Sequence, residues 1–198
     1  MPTLGHCDDL FLRYFDRWYS DDDRQHRGFQ ATKPDMFTAE QLVGVDGPHV
    51  SPLADEGRDE ALKRIATMVE AARVDWPEYL GVSGDIDLGW VHAFDEHYDR
   101  ERVADVVARS APEDFGCDYV VLCCEFGAVL GHVMRTMQPR LIWYLDWPYW
   151  ESSLLDPKTG TVISVFHWAI KKMSDYGVED GFVPKIEQCL RILDEEEA

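Results

Sequence analysis

One apolar stretch constrains the fold more than any other part of the sequence. Residues 118–137 read DYVVLCCEFGAVLGHVMRTM, and Pro139 follows shortly after them. The opening YVVLCC could be a buried strand, but the full length and the helical spacing of the apolar residues predict an α-helix. Gly127 and Gly131 lie four residues apart on one face of this helix, which indicates that another backbone approaches closely there.

Helical spacing of apolar residues predicts further helices on both sides of this segment. These helices cover residues 7–19 and 58–74, a segment around Trp90 capped by Ser83 or Asp85, the RERVADVVARS segment to about 109, and residues 167–177 and 183–193. A short helix capped by Thr38 is also predicted over 38–43. The segments 20–37 and 44–57 are polar and broken by glycine and proline, so they are predicted to be loops.

The composition changes over about 140–166, where β-branched and aromatic residues replace the helical pattern. The segments LIWYLDW, YWESSLL and TVISVF, the last after the turn sequence DPKTG at 156–160, predict a three-stranded antiparallel meander. We therefore expect an α+β fold in which helices pack on this small meander. The 198 residues are expected to form a single domain, with a helix and loop-rich extension over 1–57 and an α+β core over 58–198.

The charge is strongly one-sided, with 38 acidic and 19 basic residues and a formal net charge of −19. This charge disfavours nucleic acid as a partner and favours a basic protein partner. The N-terminus lacks the features of a signal peptide, and we expect neither a membrane span nor a location outside the cytoplasm. The five cysteines include no CxxC pair, so we predict no disulfide framework, no cofactor and no metal site.

The stretch LIWYLDWPYW at 141–150 carries five aromatic residues, more than one buried sheet face requires. Trp143 and Leu145 are expected to pack under the 118–137 helix. The remaining aromatic residues are candidate anchors for a protein partner or for a second copy of the chain. These candidates are Tyr144, Trp147, Tyr149 and Trp150, with Asp21 to Asp23 as charges that would steer a basic partner.

Residues that could carry chemistry are few, because no established catalytic or metal-binding motif is present. Glu125 interrupts the apolar run, and a buried carboxylate needs partners or a raised pKa. Asp146 and His167 could meet Glu125 at the meander, where the three would form a polar cleft. The HAFDEH segment, with His92 and Glu96 one helical turn apart, is more typical of a charged helix surface.

The C-terminal part of the chain resembles an uncharacterised family of small bacterial α+β proteins, some of them immunity-like or accessory to toxin systems. The segments that carry the resemblance are IDLGWVHAFDEHYD, DYVVLCCEFGAVLGHVM, LIWYLDWP and VISVFHWAIKKMSDYGVEDGFVPKIEQCL. It places Glu125 and Trp143 at a glutamate and a tryptophan of the family pattern. The chain departs from that pattern at Cys124, where glycine is usual, and at His167, where proline or an aromatic residue is usual. The resemblance implies no catalytic mechanism.

Two hypotheses follow. The first is a non-catalytic cytosolic binding or immunity-like protein that engages a partner through an aromatic and acidic surface. The alternative is an enzyme, or a protein that binds a small ligand or metal, in which Glu125, Asp146 and His167 meet in a cleft. The two differ in whether these three side chains converge and whether Glu125 can be reached from solvent.

Overall fold

The computed structural model describes residues 4–19, 21, 31–38 and 55–195. Within these ranges the chain forms an α+β fold, which confirms the predicted fold class. The helices are α1 (Cys7–Tyr14), α2 (Asp55–Leu80), α3 (Leu88–His97), α4 (Arg100–Arg109), α5 (Asp118–Met137), α6 (Val165–Lys172) and α7 (Phe182–Glu195). The strands are β1 (Met36–Thr38), β2 (Ile142–Tyr144), β3 (Ser153–Leu155) and β4 (Thr161–Ile163). Two 3-10 turns cover Asp16–Trp18 and Tyr149–Glu151.

Helix α5 has the predicted bounds and contributes fourteen buried residues to the core. Its two glycines face neighbouring elements, as expected. A Cβ atom on Gly127 would lie 2.5 Å from Phe166 Cδ1 and 2.8 Å from Phe166 Cα, and one on Gly131 would overlap the indole of Trp143. The glycines therefore allow both α6 and β2 to pack directly on the α5 backbone.

Helix α5 is also long and apolar enough to cross a membrane, judged by length and composition alone. An apolar stretch long enough for a span is therefore present, and the expectation of no membrane span stays a prediction. However, 72% of that stretch is buried inside the fold, as in the core helix of a globular domain. Its composition is therefore weak evidence for a membrane span.

The predicted meander is confirmed, with β2, β3 and β4 pairing in antiparallel order. A fourth strand was not predicted. β1 pairs antiparallel with β4, Met36 opposite Ile163, and so adds a strand from a segment expected to be loop. Thr38 ends this strand and is not a helix cap there, while residues 39–43 lie outside the described residues.

The elements around the meander begin and end differently from the prediction. β4 stops at Ile163 and α6 starts at Val165, so Val165 and Phe166 belong to a helix and not to the strand predicted over 161–166. α6 ends at Lys172, before the predicted Gly177. This tight transition buries every residue of α6.

The ends of α2 and α3 also differ from the prediction. α2 runs well beyond the predicted 58–74 and includes Pro77. The cap of α3 is Asp87, whose side chain accepts a hydrogen bond from the Gly89 amide, and not Ser83 or Asp85. The periodic pattern located both helices but did not determine their ends.

Helix α1 packs in the same hydrophobic core as the elements that follow it. Phe11, Tyr14 and Phe15 are fully buried. The Tyr14 hydroxyl donates a hydrogen bond of 2.9 Å to the backbone oxygen of Val107 at the end of α4. The N-terminal helix is thus held by both apolar contacts and a buried polar contact.

Candidate functional site

A buried polar cluster lies where the segment before β1 meets α6. His167 is fully buried, and its Nδ1 accepts a hydrogen bond of 3.0 Å from the backbone N–H of Lys33. Because Nδ1 is the acceptor, the proton of a neutral ring lies on Nε2, which faces Glu151 Oε2 at 3.3 Å. The ring of Phe11 stacks on His167 with centroids 5.5 Å apart. The histidine is therefore fixed in orientation by its neighbours.

Glu151 has partners on both carboxylate oxygens. The ammonium of Lys33 lies 2.6 Å from Oε2 and also donates to the backbone oxygen of Glu151 at 2.9 Å. The hydroxyl of Tyr19 donates to Oε1 and accepts a hydrogen bond of 2.9 Å from the Trp150 indole. The Lys33 ammonium thus balances the Glu151 carboxylate beside His167. A buried carboxylate requires such a paired charge.

A second set of charges continues from this cluster to α7. Lys171 donates to the backbone oxygen of Lys33 at 2.8 Å and to Asp35 at 2.7 Å, and Lys185 contacts Asp35 at 2.7 Å. Burial raises the pKa of Asp35, but the hydrogen bonds from the two lysines outweigh it and place this pKa below its ordinary value. Asp35 therefore remains ionised and joins the segment before β1 to two helices.

Glu125 lies in a different part of the core. The indole of Trp76 donates a hydrogen bond of 2.9 Å to Glu125 Oε2, and the residue is only 4% exposed. Burial raises its pKa to about 7. A carboxyl group sealed beneath an indole cannot reach a substrate in solution.

Asp146 forms a local turn. Its Oδ1 accepts a hydrogen bond of 2.7 Å from the Trp147 amide, and its own amide donates to Ser152 Oγ at 3.0 Å. The three residues predicted to form a cleft thus have different neighbours: Glu125 faces Trp76, Asp146 faces this turn, and His167 faces Glu151. All three are buried, and their contacts stabilise the fold.

Sequence reasoning missed Glu151, Lys33 and Tyr19. Their contacts join positions 118 and 132 residues apart, and nothing local in the sequence pairs them. The one available signal was that Glu151 directly follows the aromatic residues Tyr149 and Trp150.

The expected aromatic surface is only partly exposed. Trp147 is 42% exposed and Tyr144 is half-buried, but Tyr149 and Trp150 are buried, so their expected exposure was wrong. The 3-10 turn folds both inward, where Tyr149 packs edge-on against Phe166 and Trp150 packs edge-on against Phe15.

The exposed side chains of Trp147 and Ile142 define the surface that remains. Ile142, on the end strand of the described sheet, is 45% exposed. We call Ile142, Tyr144 and Trp147 the β2 surface. Asp21 is exposed, while Asp22 and Asp23 lie outside the described residues.

Two further pairs of potentially reactive side chains are either buried in the core or exposed on the surface. Cys123 and Cys124 are buried, and burial raises the pKa of both thiols, that of Cys124 to about 12, so neither is a ready nucleophile. His92 and Glu96 form an exposed pair 3.5 Å apart, as on a charged helix surface.

No protein-family model, curated protein or solved structure matches the chain.

Proposed function

We propose that this chain is a non-catalytic cytosolic binding protein, of the immunity-like kind, that engages a basic protein partner through the β2 surface. The observation that carries the proposal is the exposed indole of Trp147. Among the described residues it is the one tryptophan with more than a third of its surface exposed, at 42%. Tryptophan is the residue type most enriched at the energetic centres of protein interfaces.

The polar residues support a binding role over catalysis. The buried carboxylates and His167 are engaged by neighbouring side chains or backbone, so they act as structural contacts. A catalytic acid or base must come within hydrogen-bond distance of a substrate. Glu125 and His167, at 4% and 0% exposure, are too enclosed for that role.

The charge supports the choice of partner. A net charge of −19 attracts basic proteins over long range and speeds their association at low salt. It also repels a second copy of the chain, so self-association is the less favoured use of the β2 surface.

Quantitative affinity purification from the native organism tests the proposal. The wild type, Trp147→Ala and Tyr176→Ala serve as baits, since Tyr176 is an aromatic residue that is 57% exposed elsewhere on the surface. We expect a basic protein retained by the wild type and by Tyr176→Ala. Its binding to Trp147→Ala, measured afterwards with purified partner, should be weaker by about tenfold or more.

Equal affinity of all three baits would contradict the placement of the β2 surface. Recovery of the chain's own copy as the dominant partner would contradict the basic partner. The folding of each bait is checked by circular dichroism, and all three should unfold at similar temperatures because both substituted side chains are exposed.

A further inference from the structure

Three consecutive residues at the start of α1 bring an imidazole, a thiol and a carboxylate together. Cys7 Sγ lies 3.6 Å from His6 Nδ1 and 4.0 Å from Asp8 Oδ1, and His6 Nδ1 lies 3.8 Å from Asp8 Oδ2. Across residues 4–19, 21, 31–38 and 55–195, they form the one group of three such donors whose ligand atoms all lie within 4.8 Å of one another. This group takes no part in the buried polar cluster or the β2 surface.

These separations are close to those that a tetrahedral zinc ion imposes. Zinc bonds of about 2.3 Å to sulfur and about 2.0–2.2 Å to nitrogen and oxygen give donor-to-donor distances of about 3.3–3.6 Å at tetrahedral angles. The two distances from His6 Nδ1, 3.6 Å to Cys7 Sγ and 3.8 Å to Asp8 Oδ2, exceed these values by about 0.5 Å at most, and all three ligand atoms lie within 4.8 Å of one another. His6 Nδ1 also accepts a long hydrogen bond of 3.4 Å from the Asp8 amide, and a zinc ion would take the place of that contact.

Neighbouring groups already orient two of the donors. Thr32 donates both its amide, at 3.1 Å, and its hydroxyl, at 2.6 Å, to Asp8 Oδ1, which leaves Oδ2 towards His6. Hydrogen bonds of this kind fix carboxylate ligands in metal sites. The His6 ring packs edge-on against Tyr176 with centroids 5.6 Å apart.

The donor types select the class of ion. A thiolate with an imidazole suits zinc and related transition metals, whereas magnesium and calcium take oxygen ligands. A nucleophilic role for Cys7 fits less well. The thiol is 2% exposed and burial raises its pKa, so without a cation beside it the thiol keeps its proton at neutral pH.

We propose that His6 Nδ1, Cys7 Sγ and Asp8 Oδ2 bind one Zn²⁺ ion. The Cys7 proton passes to solvent as the zinc–sulfur bond forms, and His6 binds as the neutral imidazole. Asp8 and Thr32 also line a cavity of about 370 Å³ with Lys33 and Lys171. A water or small anion held in that cavity beside Asp8 would supply the fourth ligand, as in zinc sites that keep one position open.

Metal titration of the full chain tests the site. After dialysis against chelator, Zn²⁺ is added and binding is followed by calorimetry, and Co²⁺ is added separately to look for thiolate-to-cobalt charge-transfer absorption. The variants are His6→Ala, Cys7→Ser and, as a matched control, His92→Ala, which removes an exposed histidine that also has a carboxylate neighbour. The His6 side chain is 51% exposed, so its loss should leave the fold intact.

We expect one Zn²⁺ per chain, with affinity reduced by about tenfold or more in His6→Ala and unchanged in His92→Ala. The cobalt absorption should disappear in Cys7→Ser. The proposal is wrong if the wild type binds no Zn²⁺ with 1:1 stoichiometry, or if His6→Ala binds as tightly as the wild type. Neither result bears on partner binding, which the Trp147→Ala comparison tests separately.

Discussion

At the scale of the residue, Glu125 makes the stability of the protein depend on pH. Burial raises its pKa from 4.5 to about 7, while the Trp76 hydrogen bond partly opposes that rise. The folded state therefore holds a proton that the unfolded state has lost between these two values. The resulting stabilisation is fully present below about pH 4.5 and is lost as the pH rises through about 7.

Replacing Glu125 by glutamine keeps an oxygen to accept the Trp76 N–H but removes the ionisation. We expect Glu125→Gln and the wild type to be similarly stable at pH 5. At pH 8 the variant should be more stable by about 3 kcal/mol, from 1.36 kcal/mol per pKa unit. Urea denaturation at the two pH values measures the difference, and Glu96→Gln on the exposed surface of α3 is the control. The same pH dependence in wild type and Glu125→Gln would contradict the raised pKa.

At the scale of the element, the packing of α5 depends on its glycines. Alanine at Gly127 would place a methyl group 2.8 Å from the Cα of Phe166, a backbone atom that cannot rotate away. Crowding of this kind costs about 1–3 kcal/mol and opposes a gain of about 0.5–1 kcal/mol from better helix propensity. We expect Gly127→Ala to lower the free energy of unfolding by about 1–2 kcal/mol in chemical denaturation.

Gly181→Ala provides the matched control. Its added Cβ would meet Pro184 at 3.6 Å, an ordinary van der Waals contact. The change should therefore stay within about 0.5 kcal/mol. If Gly127→Ala were as stable as the wild type, α6 would not pack on α5 as closely as described.

The helices and strands also show which parts of the fold could be predicted from the sequence. Helices α1 to α5 follow from apolar spacing within the element itself, and the meander follows from its turn and its β-branched residues. β1 has only three residues, and Met36 finds its partner Ile163 far along the chain, so no local pattern could predict it. The start of α6 at Val165 was not predicted for a related reason: Val165 and Phe166 have strand-like composition, and tertiary packing places them in a helix.

The same limit applies to the candidate sites. Glu125, Asp146 and His167 were recognised as unusual polar residues in apolar surroundings, and all three are buried. Their partners could not be recognised, because Lys33 and Glu151 meet only in the folded chain. The adjacent His6, Cys7 and Asp8 were overlooked because zinc motifs usually separate their ligands by two or more residues.

At the scale of the whole molecule, the charge opposes the fold. With a net charge of −19, compaction brings like charges together, and this self-repulsion destabilises the folded state. Exposed ion pairs such as Arg100–Glu179 add little stability, because water and salt screen the attraction between the two charges. Added salt should therefore relieve more repulsion than attraction.

We expect both the melting temperature and the free energy of unfolding at pH 7 to rise as NaCl increases from about 0.01 M to about 0.15 M. Over that range the Debye length falls from about 30 Å to about 8 Å, which is short compared with the distances between most surface charges. The same salt series at a pH near the isoelectric point of 4.6 is the control, because the net charge there is close to zero and the rise should vanish. A melting temperature at pH 7 that stays constant or falls with salt would mean that attractive pairs outweigh the net repulsion. The surface charges would then act mainly through local ion-pair networks and not through a uniform negative field. The proposed long-range attraction of a basic partner would lose its main physical support.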